Sequence, residues 1–371
     1  MPGLPAETGG EWSQIMRLSR FWILALISTA VLLGTNCSYY NKVMARKNLV
    51  DGSKAYKDRK FPEAEKLFRY AASLDPKGET VEGRTAQLSL ARTLHSMFIG
   101  DRQKKNLAED ALKEYEKSLP QSVKELKDVT AAYEAKKTDV DAQRKYFNAL
   151  SALNSTTGAI ASLYENLTQP DKAREWQMKV AADAEMPATA RARALSSLAS
   201  KSNSCANEIS DTEATKKTVQ KDGKDVFQFT KPANAEDFAK LKQCVEEGNK
   251  FIDQAVALEP EDVKNSANFD VKAASDVQLN LNSEVFKVFE STRSYKASLT
   301  IQAMRIAEMD GNNAERDRLK TESDGLKAKF TQLSDVVKKI QAEIDARIAA
   351  KEEAEKTEAQ KQADKSKNAN K

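Results

Sequence analysis

The pattern of hydrophobic and polar positions predicts a chain built almost entirely from helices. Apolar and small side chains recur through polar stretches, and short turn signals separate these stretches. We expect helices at residues 85–98, 107–119, 146–167, 170–187, 188–206 and 235–258, and further helical stretches within 269–309. The pattern therefore predicts an all-α fold, with one exception near residue 220.

Residues 48–76 predict two helices that pack closely. Small residues stand where two helices must approach, and aromatic residues fill the remaining gaps. The small positions are Gly52, Ala64 and Ala71, the aromatic positions include Phe61 and Phe68, and Pro76 ends the second helix. The small positions and Pro76 are separated by 12, 7 and 5 residues.

This pair resembles a tetratricopeptide repeat (TPR), with departures at Asn48 and Asp51, where the family has apolar residues. A single pair cannot bury its own apolar face, so more repeats are expected. Degenerate copies follow, and their signature positions are Ala111, Tyr115, Ala161, Tyr164 and Ala173. Ala64, Ala111 and Ala173 are 47 and 62 residues apart, whereas a strict repeat has a period of about 34 residues. The resemblance thus implies an irregular TPR-like solenoid over residues 41–310.

An uncharged segment precedes the repeats. Residues 21–34 carry no charge and follow Arg17 and Arg20, which is typical of a secretory signal. Within residues 1–40, the apolar part at 21–36 serves as a signal or as an uncleaved membrane anchor. Cys37 is a candidate for lipidation, although the residues before it, Gly34 and Asn36, depart from the lipoprotein pattern. Translation from Met16 rather than Met1 would give a more compact signal.

The charges around this segment leave the membrane side open. Two cations precede it, and seven follow it up to Lys60. For an anchor, this asymmetry places the repeats in the cytoplasm. For a signal, the repeats are exported, and we favour export because the segment is short and begins with basic residues.

An insertion at about residues 211–234 interrupts the helical pattern. Asp222-Gly223 predicts a two-residue turn, and residues 217–230 predict a β-hairpin. Phe227 and Phe229 share one face of a strand and pack either inward or onto a partner. Cys205 and Cys244 flank the insertion; in an exported protein they form a disulfide, and otherwise they are two buried thiols.

The C-terminal third predicts a long helix followed by a charged tail. Residues 310–313 (DGNN) break the pattern. A coiled-coil-like helix at 311–350 then carries an apolar seam, formed by Leu326, Phe330, Leu333, Val337, Ile340 and Ile344. Segment 326–344 either self-associates or packs back on the repeats. The tail at 351–371 is expected to be helical at first and disordered by its end.

The composition of the chain limits the classes of function that it can have. Hydrophobic residues are 40% and charged residues 31% of 371, and the net charge is only +4, so no global field favours nucleic acid. One histidine, His95, and three cysteines supply too few ligands for a zinc site. The sequence contains no glycine-rich phosphate loop and no hydrolase motif, so we expect neither a cofactor nor an enzyme.

The resemblance to TPR proteins implies a non-enzymatic scaffold. We expect a membrane-attached, TPR-like protein of the bacterial cell envelope that binds another envelope protein in its groove. The alternatives are a cytoplasm-facing membrane adaptor with the same repeats and an envelope enzyme whose site the sequence does not reveal.

Overall fold

The described chain is all-α apart from one small sheet. The computed structural model describes residues 39–221 and 223–369, without the side chains of 221 and 363–369. The apolar segment 21–36 and Cys37 lie outside the described residues. Contacts divide the chain into two compact units, Met1–Gln121 and Ser122–Lys371. The boundary falls inside a helix, and the predicted segment boundaries at 40, 310 and 350 stay predictions.

The described part of the first unit, from residue 39 onward, contains four helical elements. Helix α1 covers residues 39–57 of the described chain. It is followed by α2 (Phe61–Ser73), α3 (Val81–Gly100) and the first half of α4 (Lys105–Ala135). Helix α4 was expected to end near residue 119, but it continues through Pro120. A proline inside a helix removes one backbone donor, and the helix-forming residues after it outweigh that loss.

The predicted α1/α2 pair packs through its small and aromatic residues. Ala64, Phe68 and Ala71 are buried. A Cβ atom added to Gly52 would lie 2.7 Å from Cε1 of Phe68, so only glycine lets the two helices come this close. Tyr56 and Phe61 meet edge to face at 5.3 Å between ring centroids. The packing of this pair therefore follows the residues that the sequence singles out.

The second unit contains three successive helix pairs. These are α5 (Val140–Asn166) with α6 (Pro170–Ala182), α7 (Ala188–Ser210) with α8 (Ala235–Ala257), and α10 (Asp276–Met309) with α11 (Asn313–Ala369). The first helices of the pairs also contact one another, α5 against α7 and α7 against α10. A short helix α9 (Glu261–Lys264) and a 3-10 turn (Ser266–Asn268) connect α8 to α10. The separate helical stretches expected within 269–309 are thus a single helix, α10, which begins after a turn.

The insertion between α7 and α8 forms the predicted hairpin. Strands β1 (Lys216–Lys221) and β2 (Lys224–Phe229) pair antiparallel, with Thr218 opposite Phe227. Gly223 has φ of 76°, which the two-residue turn requires.

The C-terminal helix packs back on α10. Leu333, Val337 and Ile340 of its seam join a core with Phe286 and Phe289 of α10. Self-association of segment 326–344 stays a prediction. The side chains at 351–362 are exposed. The predicted tail is helical as far as Ala369.

Candidate functional site

One groove of the second unit lies along helix α7, with walls from α5 and α6 and, at one end, from α10. Its deeper part has a volume of about 220 Å³, and small side chains line much of its wall. These are Gly158, Ala161, Ser162, Ala190, Ala194 and Ser197. A Cβ atom added to Gly158 would meet nothing within 4 Å, so the backbone of α5 is open to close approach here.

A second depression continues the groove towards α10. It has a volume of about 400 Å³ and shares Arg193 and Ser197 with the first. Ser200, Lys287 and Tyr295 add hydroxyl groups and a cation to its wall. The two depressions form one elongated surface, which we call the α7 groove. Small side chains line its α6 end, and polar side chains line its α10 end.

Two side chains of α6 form the floor of the deeper part. Trp176 donates from Nε1 to the carbonyl oxygen of Thr157 at 3.0 Å. Gln177 is only 4% exposed, and its Nε2 donates to Oγ of Ser197 at 2.8 Å. Its Oε1 has no hydrogen-bond partner within the part of the chain that the structure describes. A buried amide oxygen without a partner costs about 1–3 kcal/mol, so Gln177 in this conformation destabilises the folded protein.

A largely buried polar network links α5, α7 and α10, three of the four helices that line the groove. Asn154 of α5 donates to Oε1 of Glu284 at 2.9 Å and accepts from Thr189 at 3.1 Å. Arg193 of α7 contacts the same Glu284 oxygen at 3.1 Å. Ser196 and Thr292 add a buried hydroxyl pair at 2.9 Å between α7 and α10. These bonds make the groove a preformed surface rather than a flexible one.

Two of the charged side chains at the groove form ion pairs with neighbours. Glu165 lies 2.7 Å from Lys201, and Arg193 lies against Glu284. These partly exposed pairs contribute little to stability. They leave an acidic and a basic side chain at the rim, and both can re-pair with a ligand.

Helices α4 and α5 each contribute one tyrosine to a stacked pair. The rings of Tyr133 and Tyr146 are parallel, with centroids 4.5 Å apart. Burial raises the pKa of Tyr146 to about 12. This phenol therefore stays neutral throughout the physiological range.

Only some of the predicted signature residues lie at the α7 groove. Ala161 lines the groove, Tyr164 is half-buried beside it on α5, and Ala173 is buried on α6. Ala111 and Tyr115 are buried in the first unit, and Pro76 stands in the turn after α2. The sequence reasoning missed Gly158, Gln177 and Arg193. The sequence did offer one signal for Gln177, because it is a polar residue beside Trp176 among the core-facing positions of α6.

A disulfide joins the two helices that flank the hairpin, and one phenylalanine of the hairpin packs on α10. A disulfide links Cys205 of α7 and Cys244 of α8, with their Cα atoms 6.1 Å apart. Phe229 is buried beneath the guanidinium of Arg305, at 4.5 Å from the ring centroid, whereas Phe227 is 60% exposed. One of the two phenylalanines thus packs inward, and the other remains on the surface with Lys216 over its ring.

The described residues show no further catalytic or metal-binding arrangement. His95 is half-buried, its ring lies 6.1 Å edge-on from that of Tyr115, and burial and Arg102 lower its pKa. Among the side chains that the structure describes, His, Cys, Asp and Glu form no cluster suited to a metal ion. No helix in the described part of the chain is both long and apolar enough to span a bilayer.

The elongated, preformed α7 groove with its unpartnered amide oxygen is thus the feature best suited to ligand binding. Comparison with known proteins adds no name to it, since no protein-family model and no curated protein matches the chain.

Proposed function

We propose that this chain is a TPR-like scaffold that binds an extended segment of a protein partner in the α7 groove. The unpartnered Oε1 of Gln177 carries the proposal, because a backbone N–H of a bound segment would supply the missing donor. Oε1 is enclosed in the free protein, so the amide turns towards the ligand on binding.

The dimensions of the groove favour a peptide over a small molecule. Its deeper part, about 220 Å³, falls below the roughly 300–1,000 Å³ of typical small-molecule sites. The adjoining depression, about 400 Å³, falls within that range by volume, but it is more open than the deeper part, so the two together form a long and shallow surface. Small side chains on the wall let a peptide backbone approach, and the paired charges at the rim select polar side chains of the partner.

The repeat architecture is part of the proposal. The three helix pairs, with first helices contacting one another, are the arrangement that a solenoid of TPR type would have. The burial of Ala64, Ala111 and Ala173 supports their equivalence as close-approach positions.

We place the scaffold on the exported side of a bacterial membrane, attached through residues 21–36 or through a lipid on Cys37. The Cys205–Cys244 disulfide supports export, since such bonds persist in oxidising compartments. Fusion of alkaline phosphatase to the chain tests this placement, because the enzyme is active only after export. An inactive, stably produced fusion would favour the cytoplasm-facing adaptor.

Site-specific photo-crosslinking in cells tests the groove. A photoreactive residue at Ser162 should give a discrete protein adduct, and one at the exposed Lys117 should not. Gly158→Leu should abolish the adduct, because the added side chain fills open space in the groove.

The matched control for that substitution is Gly325→Leu on α11. Gly325 also lies inside a helix with open space around its Cα atom, so both changes improve helix propensity by up to about 1 kcal/mol. Only Gly158→Leu enters the groove. Equal adducts in the two variants, or no adduct at Ser162, would refute binding in the α7 groove.

A further inference from the structure

The outer face of helix α1 carries large apolar side chains that the fold does not use. Tyr39, Val43 and Val50 are 73%, 47% and 64% exposed. With three cations they form a single stripe, which we call the outer face of α1: Tyr39, Val43, Arg46, Val50, Lys54 and Lys57. The steps between these residues are 4, 3, 4, 4 and 3, which is the spacing of one helix face.

The opposite face of α1 already makes the packing contacts of the first unit. Ala45, Gly52 and Ala55 are buried, and Gly52 touches the ring of Phe68. Tyr56 bonds to Ser96 of α3 at 2.9 Å. The outer face is therefore free for a second role.

Positive charge is concentrated on this helix. Residues 39–57 contain five cations (Lys42, Arg46, Lys47, Lys54 and Lys57) and one acid, Asp51, which gives a net charge of +4. Arg46, Lys54 and Lys57 line a shallow depression of about 440 Å³, whose wall also includes Val50 and one carboxylate, that of Asp58. A pocket that offers cations beside an apolar side chain fits a phosphate headgroup with its adjoining acyl chain.

The position of α1 in the chain identifies the surface it would meet. Residue 39 follows the apolar segment 21–36 by only three positions. Tyr39 and Tyr40 stand at this point, and tyrosines favour the membrane–water interface. Basic segments next to a membrane-inserted segment are attracted to anionic lipid headgroups.

We infer that the outer face of α1 lies on the surface of the membrane and binds anionic phospholipid headgroups. The inference rests on the membrane attachment proposed above. Val43 and Val50 enter the headgroup layer, and Arg46, Lys54 and Lys57 pair with lipid phosphates. The contact fixes the orientation of the first unit on the bilayer.

Lysine footprinting of the full chain in lipid nanodiscs tests the inference. One set of discs contains phosphatidylcholine alone, and the other contains phosphatidylcholine mixed with phosphatidylglycerol. Acetylation of Lys54 and Lys57 should be about fivefold slower in the mixed discs, which corresponds to about 1 kcal/mol per membrane-bound lysine. Lys66, Lys105 and Lys117, which are exposed on α2 and α4, serve as internal controls, and high salt should remove the protection.

Two variants sharpen the test. Val43→Ser with Val50→Ser should reduce the protection while leaving the charge unchanged. The matched control, Tyr70→Ser, changes an exposed apolar residue outside α1 and should have no effect. Equal acetylation in the two lipids, for a chain that does enter the discs, would overturn the inference alone. A chain that does not enter the discs would overturn the membrane attachment and the inference together. The proposal of partner binding in the α7 groove would be unaffected.

Discussion

Helix pairs α1/α2 and α7/α8 both bring two helices together at a glycine. In the first pair, Gly52 accommodates the ring of Phe68, which belongs to the other helix of the pair. In the second, Gly248 lies against Ser202 of α7 and against Leu299 of α10, where an added Cβ would come within 3.0 Å and 2.7 Å. The same device therefore joins two helices in one unit and three helices in the other.

The two pairs differ in what supports the glycine contact. Helices α1 and α2 are held by packing and by the Tyr56–Phe61 aromatic contact. Helices α7 and α8 have a disulfide and an ion pair with α6, Arg174 to Glu247, in addition. We expect a single substitution to damage the first pair more than the second. The predictions below test that difference.

Phe68→Ala should have the largest effect. Phe68 is buried against Gly52, so its loss leaves a cavity and should destabilise the first unit by about 3–5 kcal/mol. Hydrogen exchange with mass spectrometry can follow peptides from α1 and α2 separately from those of α7 and α8. Tyr70→Ala, at an exposed position of the same helix, is the control. Equal exchange in the two variants would contradict the packing role of Phe68.

Removal of the disulfide should have the next largest effect, confined to the second unit. Replacing Cys205 and Cys244 together by Ser opens a loop spanning 39 positions and should lower the free energy of unfolding by about 2–4 kcal/mol. Fluorescence of Trp176, which lies in α6, reports urea unfolding of this unit. An unchanged urea midpoint would show that packing alone holds α7 to α8.

Alanine at each of the two glycines compares the contacts directly. Gly52→Ala and Gly248→Ala should each destabilise by about 1–3 kcal/mol, because the added methyl overlaps a neighbour. Gly325→Ala, where space is open, should instead stabilise by roughly 0.5–1 kcal/mol. We expect the disulfide to limit the structural spread of the Gly248 effect, so exchange should increase only in α7, in α8 and in the part of α10 around Leu299. A stabilising Gly52→Ala would reject the close contact with Phe68.

The same comparison explains how far the sequence predicts the fold. The α1/α2 pair was predictable because the glycine and the residue that fills its space are 16 positions apart. The partner of Gly248 is Leu299, in a helix 51 positions later, and no local pattern connects them. Local signals likewise located the hairpin through Asp222-Gly223 and the break before α11.

The α7 groove escaped sequence reasoning for the same physical reason. Its walls come from α5, α6, α7 and α10, and its network joins Asn154 to Glu284 across 130 positions. Ala161 was singled out as a packing residue, yet it faces the groove. Residue types at helical spacing fix which face of a helix is small or apolar. They do not determine where several such faces leave a gap.

Protonation of Asp75 should give the smallest effect and distinguish the first unit by its pH dependence. Partial burial raises the pKa of this carboxyl, but hydrogen bonds from Thr80, Glu79 and Gly78 outweigh it and hold the pKa below its ordinary 3.8. Oδ2 accepts from both the backbone N and the hydroxyl of Thr80 at 2.7 Å, and Thr80 in turn caps α3.

Because the pKa is lower in the folded state, the stabilising contribution of Asp75 is complete above about pH 4 and disappears as the pH falls through the folded-state value. Asp75→Asn should therefore destabilise α2 and α3 near neutral pH by about 1 kcal/mol, and the difference from the native chain should vanish in acid. Hydrogen exchange of α3 peptides across this range measures it. Asp310→Asn, which removes ion pairs to Lys231 and Lys242, should change exchange only in the second unit. A difference at Asp75 that persists in acid would mean that the side chain acts through its shape rather than its charge.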